Sequence, residues 1–226
     1  PSRDATLRRD GAVSRFWREH RDLLTAAWTD WESAQGSSLP QLDSALLDAR
    51  LREAVSAAWE DPSRESAVRA LWHQTAPGVY HAQFFDPGRL ADLRAYLAQV
   101  ATSRIPLRPP YGIVLNRRGA MLDPRSEGFL AAPAFQALCR EIIDRIMRPI
   151  GRLLFPEVMG YDTQSFGFSI QYQAGLDTSI RPHTDASAVT LNINLNLPGE
   201  DFSGSAVGFF DPRTRGTTEL VFTPGM

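Results

Sequence analysis

His183 and Asp185 stand two residues apart, and this spacing is the most chemically pointed feature of the chain. In an extended segment, side chains at i and i+2 project to the same face. An imidazole nitrogen and a carboxylate oxygen can therefore meet one metal ion from one side. His-x-Asp alone is a short motif, more readily read as a surface histidine beside a turn-forming aspartate. The residues that follow add weight to the metal reading. Val189–Leu197 alternates strictly, with Leu191, Ile193, Leu195 and Leu197 on one face and Thr190, Asn192, Asn194 and Asn196 on the other. Asparagine is depleted in strands, so this face is either solvated or the wall of a polar cavity. Tyr172 shares a face with Phe166, Phe168 and Ile170, which can bring its hydroxyl to the same cavity. Gly204 and Gly208 punctuate a strand-like run, as happens where a backbone bends or a ligand approaches closely.

The elements that must position these residues change character along the chain. Ser14–Gln35 carries Phe16, Trp17, Leu23, Leu24, Trp28 and Trp31 at helical spacing and ends at Gly36. Leu42–Trp59 predicts a second helix, with Leu46, Leu47, Leu51, Val55 and Trp59 on its stripe and Asp43 or Ser44 as cap. Residues 64–73 predict a shorter one. The tryptophans are expected to pack in the core. Val79–Phe85 reads as a strand, Asp86-Pro87-Gly88 as a turn and Arg89–Thr102 as an amphipathic helix. Tyr111–Leu122 predicts a strand pair, or a strand and turn, around Asn116–Gly119, and Pro133–Leu154 a helix that Pro149 kinks or divides. From Thr163 onward Gln164–Tyr172, Ala188–Leu197, Ser205–Phe210 and Thr218–Phe222 predict strands. Helices early and strands late indicate an α+β fold rather than alternating βαβ units.

Composition narrows the function classes. A chain of 226 residues suits one sizeable domain with a helical appendage. The formal net charge of −2 offers no electrostatic case for nucleic acid or a membrane surface. Every basic residue is arginine, as in GC-rich bacterial coding sequences. The single cysteine, Cys139, excludes an internal disulfide and suggests a reducing compartment; its apolar helix position suits a small buried residue. There is neither a secretory h-region nor a bilayer-length apolar run, so a cytoplasmic protein is expected.

Taken in order, Tyr172-x-x-Gly175, His183-x-Asp185, Val189-Thr-Leu-Asn-x-Asn-Leu-Asn196 and Gly204-Ser-x-x-x-Phe-Phe210 resemble the Fe(II)/2-oxoglutarate-dependent dioxygenases, and within them the prolyl-4-hydroxylase-like branch. The resemblance spans residues 79–226 and is strongest over 165–210. It implies residues 1–76 as an N-terminal helical segment and 77–226 as an oxygenase domain, incomplete at its C-terminus. The implied fold is a double-stranded β-helix, or jelly roll, with the N-terminal helices packed against it. Such a domain holds Fe(II) by two histidines and a carboxylate, leaving positions for 2-oxoglutarate and O2. His183 and Asp185 match the first histidine and the carboxylate. Tyr172 matches a tyrosine bordering the co-substrate, Asn194 falls where another co-substrate contact projects, and Thr190 and Asn192 line the same wall. A second histidine and a later arginine are also implied. No histidine follows His183, and both are expected beyond Met226.

The resemblance thus implies an oxygenase that hydroxylates an unactivated C–H bond of an amino acid, peptide or natural-product intermediate. Related halogenases replace the carboxylate by a small residue, so Asp185 points to hydroxylation or desaturation. Two alternatives stay open: a jelly-roll binding or scaffold protein without activity, and a cupin-like metal enzyme that does not use 2-oxoglutarate. The expected partner is a small-molecule or peptide substrate, with no nucleic acid and no membrane. The N-terminal helices offer a cover for the sheet, a substrate entrance or a homodimer interface. His20, His73 and His81 are expected as surface or packing residues, and Arg117, Arg118 and Arg181 as exposed arginines or contacts to an acidic substrate group.

Overall fold

The computed structural model describes residues 11–12, 15–106, 133–158, 167, 169–175, 178–185, 187–204 and 206–226. Along them run α1 (Arg21–Gln35), α2 (Ala49–Glu60), α3 (Glu65–Ala70), β1 (His73–Ala76), β2 (Val79–His81) and α4 (Leu90–Thr102). There follow α5 (Pro133–Glu141), a π-helical turn (Ile142–Met147), α6 (Arg148–Leu154), β3 (Ala206–Asp211) and β4 (Gly216–Val221). The chain divides into two compact units. The first comprises residues 1–40, 96–140 and 162–185; the second comprises 41–95, 141–161 and 186–226.

In the first unit the helical spacing around α1 holds in part, with Phe16 and Leu23 exposed. Trp17, Leu24 and Trp28 are buried, with Tyr96, Val100 and Leu138. Trp28 meets Trp31 edge-on at 5.5 Å, and Trp31 meets Tyr96 at 6.4 Å. Gly36, at φ +53°, stops α1 in a conformation that favours glycine. Glu32 ties three helices together. Its carboxylate accepts the Tyr96 hydroxyl at 2.6 Å and the Ala134 N–H at 2.9 Å. Ala134 lies in the first turn of α5, where N–H groups have no intrahelical acceptor. Burial, then the Glu32 hydrogen bond, raises the Tyr96 phenol above its ordinary pKa, so it remains a donor. Burial likewise pushes the Cys139 thiol up to about 12, which keeps it un-ionised and unreactive at neutral pH.

In the second unit the expected Leu42–Trp59 helix begins later. Asp43 caps a 3₁₀ turn at Ser44–Leu46, and Asp48 accepts the Arg50 and Leu51 N–H groups to start α2. Two aspartates with local capping geometry outcompete one continuous helix. Leu46, Leu47, Leu51 and Val55 are buried as the stripe requires. Trp59 is not: it is 53% exposed, and its indole N–H donates to the Arg145 carbonyl at 2.9 Å. Pro149, four residues after Arg145, has no N–H to offer that carbonyl. The helix expected over 64–73 ends at Ala70, and His73 instead opens β1.

The described strands form two antiparallel pairs, β1 with β2 and β3 with β4. In the second, Phe209 faces Thr218 and Val207 faces Leu220. Two of the four late strands expected from the sequence are thus present. Residues 188–197, expected as a strand, run without a ladder among the described residues. Their backbone bonds go to the chain's last residues instead: Asn194 N–H donates to Met226 O, and Gly225 N–H to Asn194 O. Tyr111–Leu122, with Arg117 and Arg118, lies outside the described residues, as do 164–166 and 168 of the Gln164–Tyr172 segment.

A single residue gathers this unit. Phe84 and Phe85 N–H both donate to Gly225 O, at 2.9 and 2.8 Å, while Gln83 Nε2 donates to Pro224 O. On its other side the same segment bonds to residues 46–48, Asp48 N–H to Phe84 O and Asp86 N–H to Leu46 O. Gly225 has φ +78°, and a Cβ there would stand 2.5 Å from the Phe85 carbonyl oxygen. Gly199, at φ +83°, has nothing within 4 Å of the same position. Gly199→Ala should therefore cost about 1 kcal/mol, the backbone effect alone, and Gly225→Ala at least ~2 kcal/mol. Urea unfolding of both variants measures the difference. In the first unit, Glu32→Ala should cost about 2–3 kcal/mol by stripping the charged acceptor from Tyr96 and Ala134, and Glu32→Gln less, in the same assay.

Candidate functional site

Pro182 biases Arg181 toward extended backbone, and residues 181–185 contain no helical turn. His183 and Asp185 consequently meet as their spacing predicts, with Nε2 3.2 Å from Asp185 Oδ1. Both side chains are about half exposed. The other ring nitrogen, Nδ1, lies 2.8 Å from the Arg181 carbonyl oxygen. A carbonyl only accepts, so Nδ1 carries the proton and donates. This leaves the Nε2 position facing an oxygen that is also an acceptor. Two electron-pair donors so placed can hold one metal cation between them.

The separation fits such an ion. Two ligands each ~2.1 Å from a metal and at roughly a right angle to one another stand ~3.0 Å apart. The Nδ1–H···O=C bond is also the support that metal-bound histidines commonly have, because it fixes tautomer and ring orientation. Among the described residues no third His, Cys, Asp or Glu joins the pair. Tyr172, in the same unit, is 48% exposed. Arg181 contributes its carbonyl rather than its charge to the pair.

The remaining candidates belong to the second unit. Thr190 Oγ1 is 2.7 Å from Ser187 Oγ. Thr190 and Asn192 line a cavity of about 130 Å³ with Tyr80, His81, Phe84 and Phe209. Asn194 is committed to the backbone: its Nδ2 donates to Phe222 O at 3.1 Å, and its Oδ1 accepts the Asn196 N–H at 2.8 Å. The asparagines at period two thus divide, Asn192 toward the cavity and Asn194 toward holding the segment.

Sequence reading missed the anchor of that segment. Arg94 on α4 donates to both Glu200 oxygens, at 2.5 and 2.6 Å. Glu200 in turn accepts the Leu197 N–H at 2.9 Å and Asn196 Nδ2 at 3.3 Å. Nothing in the sequence pattern named a partner 106 positions away.

Comparison with known proteins adds an independent line. No protein-family model matches the chain, and no solved structure matches it. The 2-oxoglutarate and iron-dependent oxygenase domain-containing protein ICU11 of Arabidopsis thaliana is 28% identical over 150 residues, 64% of this chain and 34% of that protein. The similarity is to iron- and 2-oxoglutarate-dependent oxygenases. A zebrafish (Danio rerio) 2-oxoglutarate and iron-dependent oxygenase domain-containing protein 2 is 28% identical over 179 residues, 76% of this chain and 47% of the other. Human procollagen-lysine,2-oxoglutarate 5-dioxygenase 2 is 45% identical over 53 residues, 22% of this chain and 7% of that protein. The chain thus spans about a third to a half of the length of the oxygenase-domain relatives. Among the described residues, no helix is long and apolar enough to cross a membrane.

The Arg94 hydrogen bonds, then the Leu197 amide, hold the Glu200 carboxyl below its ordinary value of 4.5. A carboxylate depressed in the folded state stabilises it fully above the ordinary value, and this contribution is lost as pH falls through the depressed one. Wild-type protein should therefore exceed Glu200→Gln in urea midpoint at pH 7, and the gap should close on acidification below about pH 4. A gap that persists at pH 2 would assign the effect to packing instead.

Proposed function

We propose that this chain carries the catalytic domain of an Fe(II)- and 2-oxoglutarate-dependent oxygenase of the prolyl-4-hydroxylase-like branch, built on a jelly roll. The observation that carries the reading is the His183–Asp185 pair, whose Nε2 and Oδ1 are 3.2 Å apart, close to the separation of two ligands on one metal ion. The similarity to proteins named for iron and 2-oxoglutarate supports the choice of metal and co-substrate. When bound, Fe(II) with 2-oxoglutarate and O2 supplies the oxidation: R–H, 2-oxoglutarate and O2 become R–OH, succinate and CO2.

The chain's own residues bind and orient. His183 offers Nε2 to the metal while the Arg181 carbonyl holds its ring, and Asp185 supplies an anionic oxygen that offsets metal charge. Tyr172, Thr190 and Asn192 are proposed as residues that bind 2-oxoglutarate, because a hydroxyl or an amide N–H can donate to its carboxylates. Asn194 contributes through the segment it fixes, since its amide is bonded to backbone. The substrate is proposed to be an amino acid, a peptide residue or a natural-product intermediate. The procollagen-lysine relative, which by its name acts on a lysine within a protein, favours a peptide residue among these.

The test is turnover by the full-length gene product supplied with Fe(II), 2-oxoglutarate and O2. Succinate should form, and a substrate should gain one oxygen atom. His183→Ala and Asp185→Ala should each abolish succinate formation without changing the circular dichroism spectrum. Succinate formation that survives both substitutions would overturn the assignment. Metal binding at the pair without succinate would instead favour an inactive jelly roll or a cupin-like metal enzyme.

A further inference from the structure

β1 and β2 turn about Pro77-Gly78, with Gly78 at φ +74°. Their register sets His73 directly opposite His81. The two rings are 5.6 Å apart between centroids and inclined at 40°. Directly opposed side chains on an antiparallel pair have Cβ atoms ~5 Å apart, close enough for two imidazoles to share a ligand. A metal ~2.0–2.1 Å from one nitrogen of each ring lies about 3.2 Å from each centroid, and a near-tetrahedral angle then sets the centroids ~5.2 Å apart. The observed separation is close to this without rearrangement of the hairpin.

Two further features favour a bound cation over ring packing alone. His81 Nδ1 is 2.6 Å from Thr75 Oγ1, two residues along β1 from His73. With Nδ1–H donating to this hydroxyl, the lone pair sits on Nε2 and the ring is held in place, as the partners of metal-bound histidines do. Both histidines also line a cavity of about 290 Å³, so solvent ligands have room beside them. Asp48 and Arg50 border that cavity too; they pair with each other at 3.5 Å, and Asp48 caps α2.

We propose that His73 and His81 form a second metal site, separate from His183 and Asp185, for a divalent cation that favours imidazole nitrogen. Zn²⁺ and Cu²⁺ are the candidates, with Cu²⁺ the tighter by the general order of divalent affinities. Among the described residues no third His, Cys, Asp or Glu completes the set, so water fills the remaining positions and the site is an open one. The inference stands on the hairpin alone and holds whether or not the chain is an oxygenase.

The test uses the full chain carrying His183→Ala and Asp185→Ala, so that the other pair does not compete. Zn²⁺ titration against a chromophoric chelator should give one site per chain. Imidazole ¹⁵N NMR should show the His73 and His81 rings shifting together at that stoichiometry. His73→Gln and His81→Gln should each weaken binding at least ten-fold, and Thr75→Val several-fold while leaving the stoichiometry at one. Unchanged affinity in both histidine variants, or a Zn²⁺-induced shift in only one ring, would overturn the proposal. The NMR measurement decides without substitutions in the hairpin, should either variant fail to fold.

Discussion

One carbonyl oxygen, that of Gly225, accepts two successive N–H groups, from Phe84 and Phe85. Around it the second unit does by scattered main-chain bonds what a sheet does by ladders. Residues 46–48 bond to one side of the 84–86 segment, Gly225 bonds to the other, and Asn194 bonds to the Gly225 amide and the Met226 carbonyl. Each of these segments is short and irregular. Buried backbone polar groups must nonetheless find partners, and here they find them in one another. The arrangement tolerates no side chain at its centre, because the close approach that makes the bonds fills the volume a Cβ would need.

Much of this was legible in the sequence where the governing contacts are local. Helix periodicity located α1, α4 and the α5–α6 run, and glycine and proline turns located β3 and β4. The Asp48 cap lay hidden in plain sight: Asp43 and Asp48 both precede helix-forming runs, and only the bonds that they make distinguish the turn from the helix. Trp59 misled because its spacing fits the buried stripe, while a proline ninety residues later created an acceptor for its indole. The Arg94–Glu200 anchor and the Gly225 junction escaped for the same reason. Their partners are distant in sequence and carry no periodicity that would announce them.

The candidate site shows the same division. That His183 and Asp185 meet follows from their spacing and from the proline between Arg181 and His183. Which ring nitrogen meets the carboxylate does not follow from spacing. It comes from the Arg181 carbonyl, which holds Nδ1 and turns Nε2 toward Asp185. The asparagine run looked uniform in sequence, yet Asn192 and Asn194 serve different ends, one lining a cavity and one bracing the backbone that forms it.

The π-helical turn at Ile142–Met147 carries a consequence for the chain's register. Ile142, Ile146, Ile150 and Leu154 are all buried and recur every fourth residue. In a regular α-helix each residue advances about 100°, so a repeat of four drifts about 40° per step and would soon leave the core face. A π turn holds more residues per turn and drifts the opposite way, which returns the stripe to alignment. Such a turn is equivalent to an α-helix with one residue inserted. The core face of α6 therefore depends on that extra residue: in a regular α-helix of the same sequence Ile150, eight residues after Ile142, would stand about 80° off the Ile142 face, whereas the wider turn keeps both buried.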